Sequence, residues 1–312
     1  MTNPALKKRW REGWGKRSVI GIPYIFLILF FSLPFLIVFK LSISDTEGIR
    51  FKDLLDYADG VAVLRVRVSN YLFLMTDSLY VNTYWYSIKL AALNTVICLA
   101  IGYPFAYFMA RAPVSWRPTL LMLVTLPFWT SYLLRVYAWK GLLDDNGVIN
   151  NFLLWAHLID TPIKMMYTSF SMMIGMVYTY LPFMILPLYS TLVKMNLTLL
   201  EAASDLGARP LTTFWLITVP LSKAGIIAGS MLVFIPSLGE YVIPELLGGP
   251  ETQMIGRTLW NEFFSNNDWS MACAVAVSMV LLILVPLAIF NKYQNDSSDV
   301  GDAGGAKGAG HA

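Results

Sequence analysis

Apolar residues run along this chain in six blocks of about 20 residues or more, each separated from the next by a polar connection. The blocks fall at residues 19–39, 86–110, 119–139, 168–193, 223–243 and 271–290. A backbone inside lipid must satisfy its own hydrogen bonds, so the pattern predicts an all-α membrane protein with six spanning helices. Pro104, Pro127, Pro182, Pro187, Pro236 and Pro286 interrupt these blocks. Each releases a backbone carbonyl, which is tolerable only against protein or a wet cavity, and this favours a transport bundle over a rigid anchor. Three domains follow: a basic N-terminus at 1–18, the six-span body at 19–290 and a tail at 291–312. The tail is polar and then rich in Gly and Ala, so no fixed structure is expected of it. Within the connection at 41–83, the Val-rich run at 61–68 alternates with Arg65 and Arg67 and predicts a short strand.

Composition agrees with the pattern and adds an orientation. The 312 residues are 56% hydrophobic and 14% charged, against about 25% charged in a soluble protein. Lys7, Lys8, Arg9, Arg11, Lys16 and Arg17 precede the first block, which is too long for a cleaved leader and lacks a small-residue cleavage site. Arg111 and Arg117 mark the second turn, while the connections at 41–83 and 141–167 are acid-rich. The positive-inside rule then places both termini, the Arg111/Arg117 turn and the segment at 198–220 in the cytoplasm. The net charge of +3 is too small to argue for nucleic acid. Cys98 and Cys273 lie in apolar blocks and read as small core residues. His157 and His311 are the two histidines, and no spacing suggests a metal site or a serine-histidine-acid set.

Residues 198–220 (TLLEAASDLGARPLTTFWLITVP) lie between two spans yet carry Glu201, Asp205 and Arg209. Thr198 with Glu201 has the spacing of a capping box. Leu199, Ala202, Ala203 and Leu206 give the predicted helix one apolar face. Gly207 suits the left-handed residue that ends a helix, Pro210 suits the first turn of a second, and Pro220 closes it. Two short helices hinged at Gly207 are expected at the membrane surface. A plain linker between spans would have the same elements.

The order Glu201-Ala202-Ala203, Gly207, Ile217, Val219 and Pro220 resembles the EAA loop of ABC-importer permeases, with Val219 where that family usually has Leu. The resemblance implies a loop that docks into a cleft on a cytoplasmic ATPase, through Glu201, Ala202, Ala203, Asp205, Leu206, Gly207 and Pro220. The chain has no G-x-x-x-x-G-K-[ST] phosphate loop, so the engine must be another chain and no covalent catalysis is expected.

Ionisable residues inside spans usually face a cavity or a partner. Glu240 lies 17 residues into the fifth block, about 25 Å along a helix from its start, with Glu245 beyond it and Arg135 at similar depth in the third block. One reading makes Glu240 and Arg135 a structural ion pair; the other makes Glu240 a carboxylate for a cationic substrate. Trp129, Tyr132, Tyr137, Trp139, Tyr178, Tyr180 and Tyr241 surround these positions. Such aromatics form interfacial belts, and beside carboxylates they also suit ammonium groups through cation–π attraction.

Residues 135–143 (RVYAWKGLL), 146–152 (NGVINNF), 229–236 (GSMLVFIP), 239–249 (GEYVIPELLGG) and 255–260 (IGRTLW) resemble the first permease subunits of bacterial spermidine/putrescine importers. This likeness implies the type I ABC importer permease fold in a bacterial inner membrane. It further implies four partners: a second, homologous permease, two ATPase subunits that use the ATP, and a periplasmic polyamine-binding protein. Glu240, Tyr241, Glu245, Trp129, Tyr132, Arg135, Tyr178 and Tyr180 become candidates for the substrate pathway, with no cofactor held by this chain. Two rivals stand beside this reading: the same machine for another solute, with Arg135 as the useful charge, and an ion-driven carrier. The missing internal repeat counts against the carrier.

Overall fold

The computed structural model describes residues 19–44 and 68–306, with four short strands between them; side chains are described for 19–44 and 68–288. In chain order the elements are α1 (Val19–Ser42), strands β1 (Thr46–Glu47), β2 (Arg50–Phe51), β3 (Leu55–Ala58) and β4 (Val61–Leu64), α2 (Ser69–Thr76), α3 (Ser78–Arg111), α4 (Arg117–Thr125), α5 (Tyr132–Leu143), α6 (Val148–Trp155), α7 (Ser169–Leu192), α8 (Thr198–Asp205), α9 (Pro210–Leu221), α10 (Lys223–Leu238), α11 (Val242–Leu246), α12 (Ile255–Trp260) and α13 (Trp269–Ala306). β1 pairs with β2 and β3 with β4, both antiparallel. The expected strand at 61–68 is therefore present as β4, while Arg65 and Arg67 lie outside the described residues, as does the basic N-terminus at 1–18.

Among the described residues, four helices are each long and apolar enough to cross a membrane: α1, α3, α7 and the Trp269–Ala288 part of α13. Two bent pairs complete a set of six if each is one span. Here the six simple rods read from the sequence need correction. The third block bends by 89° between Arg117–Trp129 and Tyr132–Trp155. Pro127 sits in a tight 3₁₀ turn, and Thr130 (ψ 150°) and Ser131 (ψ 136°) are extended, so the ladder stops there. In the fifth block α10 ends at Leu238, five residues short of the expected boundary, and is joined to α9 at a 67° bend. The tail also departs from expectation: the helical backbone of α13 runs on through Asn291 to Ala306. A helix already nucleated by an apolar span extends at little cost per residue, even through weak helix formers.

The chain divides into two units. In the first (1–76 and 262–278), none of the most apolar stretch of α1 is buried within the chain, as suits a helix that faces lipid. Its polar end is held by Ser42, whose hydroxyl pairs with that of Tyr71 at 2.6 Å. Ser270 receives a bond from Asn70 at 2.8 Å and donates to the Leu41 and Ser44 carbonyls.

The second unit (77–261 and 279–312) holds the packed core, built on α3, α7 and α10. Asp77 caps α3 by accepting the Leu79 amide at 2.7 Å, and Thr168 caps α7 in a reciprocal box with Ser171. The core side chains include Met109, Met172, Met176, Met184 and Leu188, all at most 2% exposed. Gly225 and Gly229, one turn apart on α10, let that helix press against α7: a Cβ would lie 2.6 Å from Thr191 Oγ1 and 2.8 Å from Met184 Sδ respectively. This is the small-residue packing that lipid-embedded helices use in place of hydrophobic drive. Polar links cross the same core: Asn94 donates to Ser237 at 2.8 Å, and Tyr103 pairs with Ser222 at 2.7 Å.

Candidate functional site

Two sets of residues bear on function, one open and one closed. The open set is α8 and α9. Thr198 is not the cap of α8: it stands inside the helix, and both its amide and its hydroxyl donate to Asn196 Oδ1, at 3.1 and 2.9 Å. The expected box between Thr198 and Glu201 is thus replaced by an Asn turn two residues upstream, since Asn reaches an amide two positions on with little strain. At the other end Gly207 takes φ +80°. The Ala208 amide bonds the Ala203 carbonyl at 3.0 Å and the Gly207 amide bonds Ser204 at 2.9 Å, the paired contacts of a Schellman ending. A Cβ at Gly207 would meet nothing within 4 Å, so φ alone demands glycine there.

Of the α8 residues predicted to couple, only Ala203 is buried; Glu201, Ala202 and Asp205 are exposed, and Leu206, just past the helix end, is 89% exposed. Leu211, Trp215 and Leu216 on α9 are exposed as well. Among the described residues nothing covers Leu206, Leu211 or Leu216, unlike the apolar faces of the core helices. Pro220 lacks the amide that would reach Leu216, and the preceding turn, Phe214–Thr218, widens to π-helical bonding, with the Val219 amide on Phe214. The helix ends one residue past Pro220, at Leu221.

The closed set surrounds Glu240. It sits in the break between α10 and α11 and is 8% exposed. Its Oε1 accepts the Tyr132 hydroxyl at 2.8 Å and the amides of Tyr241, Val242 and Ile243 at 3.1, 3.0 and 3.4 Å. Its Oε2 accepts the Tyr180 hydroxyl. A buried carboxylate requires such donors, and here they come from α5, α7 and the N-terminus of α11. Of the two readings of Glu240 and Arg135, the ion pair is absent among the described residues. The Arg135 guanidinium instead lies over the rings of Phe128 and Tyr132, at 5.8 and 5.7 Å, with Nε and Nη1 buried and unpartnered. Arg135 lines a cavity of about 380 Å³ with Thr130, Leu134, Ala138, Trp139, Leu142 and Tyr178.

The remaining candidates separate. Trp139 and Tyr178 meet edge to face at 5.5 Å, whereas Trp129 is 86% exposed and Tyr137 is exposed too. Glu245 pairs with Arg257 at 2.6 Å. Tyr241 stacks on Trp260, ring centroids 4.4 Å apart. Arg257 and Trp260 were not singled out as site residues, although both lie in the 255–260 stretch on which the family resemblance drew. Asn150 was also missed: fully buried, it ties residue 144 to Ile163 through three bonds and so fixes the loop after α5. Its polar character in a connection gave no sequence signal of burial.

Residues 101–295 match the family described as Binding-protein-dependent transport system inner membrane component. The chain is 39% identical over 264 residues to the spermidine/putrescine transport system permease protein PotB of Escherichia coli (strain K12), covering 85% of this chain and 92% of that protein. It is 37% identical over 279 residues to the PotB of Haemophilus influenzae, covering 89% and 93%. Similarity to the molybdenum transport system permease protein ModB of Mycobacterium bovis is 30% over 207 residues, 65% of this chain. In fold, the chain resembles one in the crystal structure of a bacterial ABC transporter involved in the import of the acidic polysaccharide alginate, with TM-score 0.68, 16% identity and coverage of 94% and 99%.

Proposed function

We propose that this chain, which belongs to the family of binding-protein-dependent transport system inner membrane components, carries polyamines such as putrescine and spermidine as one half of an ATP-driven import pathway. It is a multi-pass membrane permease with the ABC importer fold, and it is not an enzyme. The observation that carries the polyamine reading is the 37–39% identity to spermidine/putrescine permeases over 85–89% of the chain. The molybdenum permease falls to 30% over 65%.

In this reading a second, homologous permease completes the pathway, two ATPase subunits bind and hydrolyse ATP, and a periplasmic polyamine-binding protein delivers the cargo. Both termini and the α8–α9 segment face the cytoplasm. The exposed Leu206 and the apolar side chains of α9 seat against the ATPase, and Gly207 sets the angle between the two arms. The outer mouth offers the Tyr241–Trp260 stack beside Glu245, whose carboxylate an ammonium group would take over from Arg257. Trp129 and Arg135 of the third block and Tyr178 of the fourth line the way, and Arg135 would repel a cation that strays into its cavity. The decisive experiment is ATP-dependent uptake of labelled putrescine into liposomes that hold the complete complex and its binding protein. Saturable uptake is expected; none, with uptake of another solute, would overturn the substrate.

A second reading rests on Arg135. Its two buried nitrogens, unpartnered among the described residues, beside a cavity of about 380 Å³ would suit an anionic cargo. Competition by molybdate or sulfate against putrescine in the same liposomes separates the two.

A further inference from the structure

We propose that Glu240 is a positioning residue, a latch on the broken end of the fifth block, and that its two phenolic bonds are the ones released when the pathway changes side. This rests on the importer reading above. The five donors on Glu240 fall into two kinds. Three are amides of the next residues along the chain, so they cap α11 and persist wherever α11 persists. Two are phenols on other elements, Tyr132 at the start of α5 and Tyr180 within α7. Relative movement of α10 against α5 and α7 breaks the second kind and spares the first.

The backbone at this break is held from another direction too. A Cβ on Gly256 would lie 2.4 Å from the Gly239 carbonyl and 2.7 Å from that of Glu240, so α12 rests directly on the break. At its far end α10 is joined through Ser222 to α9, so a displacement of the coupling arm is carried along α10 to Gly239 and Glu240. As a cargo ligand Glu240 is poorly placed: it is 8% exposed and its Oε1 already takes four donors. An incoming ammonium would have to displace one of them.

The test uses the full complex in liposomes and two readouts, ATP hydrolysis without cargo or binding protein, and the KM for putrescine uptake. Tyr180→Phe and Tyr132→Phe keep the rings and remove one donor each. Loss of a hydrogen bond to a carboxylate should shift the resting equilibrium and raise basal hydrolysis about tenfold, with KM held within about twofold. A raised KM at wild-type basal hydrolysis would make Glu240 a cargo ligand and overturn the latch; wild-type values in both readouts would overturn it as well. Should a Phe variant fail to assemble with the ATPase, Glu240→Gln is read in the same way. It keeps one oxygen for the amides but sets an NH₂ in place of the second oxygen, so raised basal hydrolysis is again expected. Absent putrescine uptake by the wild type would sink the substrate reading and leave the hydrolysis arm intact.

Discussion

The α8–α9 arm and the Glu240 knot are both departures from a plain spanning helix, and they solve opposite problems. The arm satisfies both ends of α8 locally, through Asn196 at one end and the Gly207 ending at the other, and leaves Leu206, Leu211, Trp215 and Leu216 uncovered. The knot buries its one charged side chain and satisfies it with the adjacent amides of α11 and with phenols of α5 and α7, 108 and 60 positions away. Local satisfaction allows an element to move as a unit and to offer its surface to another protein. Distant satisfaction fixes one arrangement of several elements and resists small displacements. A transporter that receives force at one place and gates at another needs one of each.

Breaking the knot should have the largest effect. Glu240→Ala strands two phenols and the N-terminal amides of α11 in a buried site, at a cost of about 3 kcal/mol or more. The expected result is loss of thermal stability of the purified complex together with loss of uptake; an unchanged melting temperature would show that the bonds contribute nothing. On the arm, Leu206→Asp should leave the chain's own stability unchanged, because Leu206 is 89% exposed. It should weaken ATPase retention about tenfold or more, the effect of losing one buried leucine from an interface. Pull-down of the ATPase against salt-washed membranes measures this. Gly207→Val places a branched side chain at φ +80° and strains the hinge by about 1–2 kcal/mol. Membrane insertion should persist while uptake per ATP falls; Gly207→Asn, which tolerates that backbone, should restore most of it, and normal coupling in the Val variant would count against the hinge. The smallest effect belongs to Asn196→Ala, which removes the turn at the start of α8 and should cost about 1 kcal/mol of local stability, read as faster amide exchange over α8.

The arm was legible in the sequence because its signals are local. Gly207, Pro210 and Pro220 each act on the residues beside them, and their spacing gave the bend and its two helices. Even there, Thr198 and Glu201 suggested a cap that Asn196 supplies instead, because both patterns fit the same few residues. The knot was half legible. A carboxylate in an apolar block announced that Glu240 had a partner, but Tyr132 and Tyr180 lie 108 and 60 positions away, and no periodicity connects them. Arg135 drew attention as the obvious counter-charge, yet its guanidinium stands over aromatic rings. The bends were hidden for a related reason: a hydropathy run registers how much apolar chain there is, and 119–139 contains enough for a straight rod whether or not Pro127 and Thr130 turn it.

The joint between α9 and α10 carries a mechanical consequence. The two helices are separated by Ser222 alone and meet at 67°, and the Ser222 hydroxyl is pinned to Tyr103 on α3 at 2.7 Å. That is a bell crank with an anchored fulcrum. Its arms of 12 and 16 residues are about 18 and 24 Å long. A nudge at the free tip of α9 therefore swings the far tip of α10 through an arc about a third larger, without either rod having to flex.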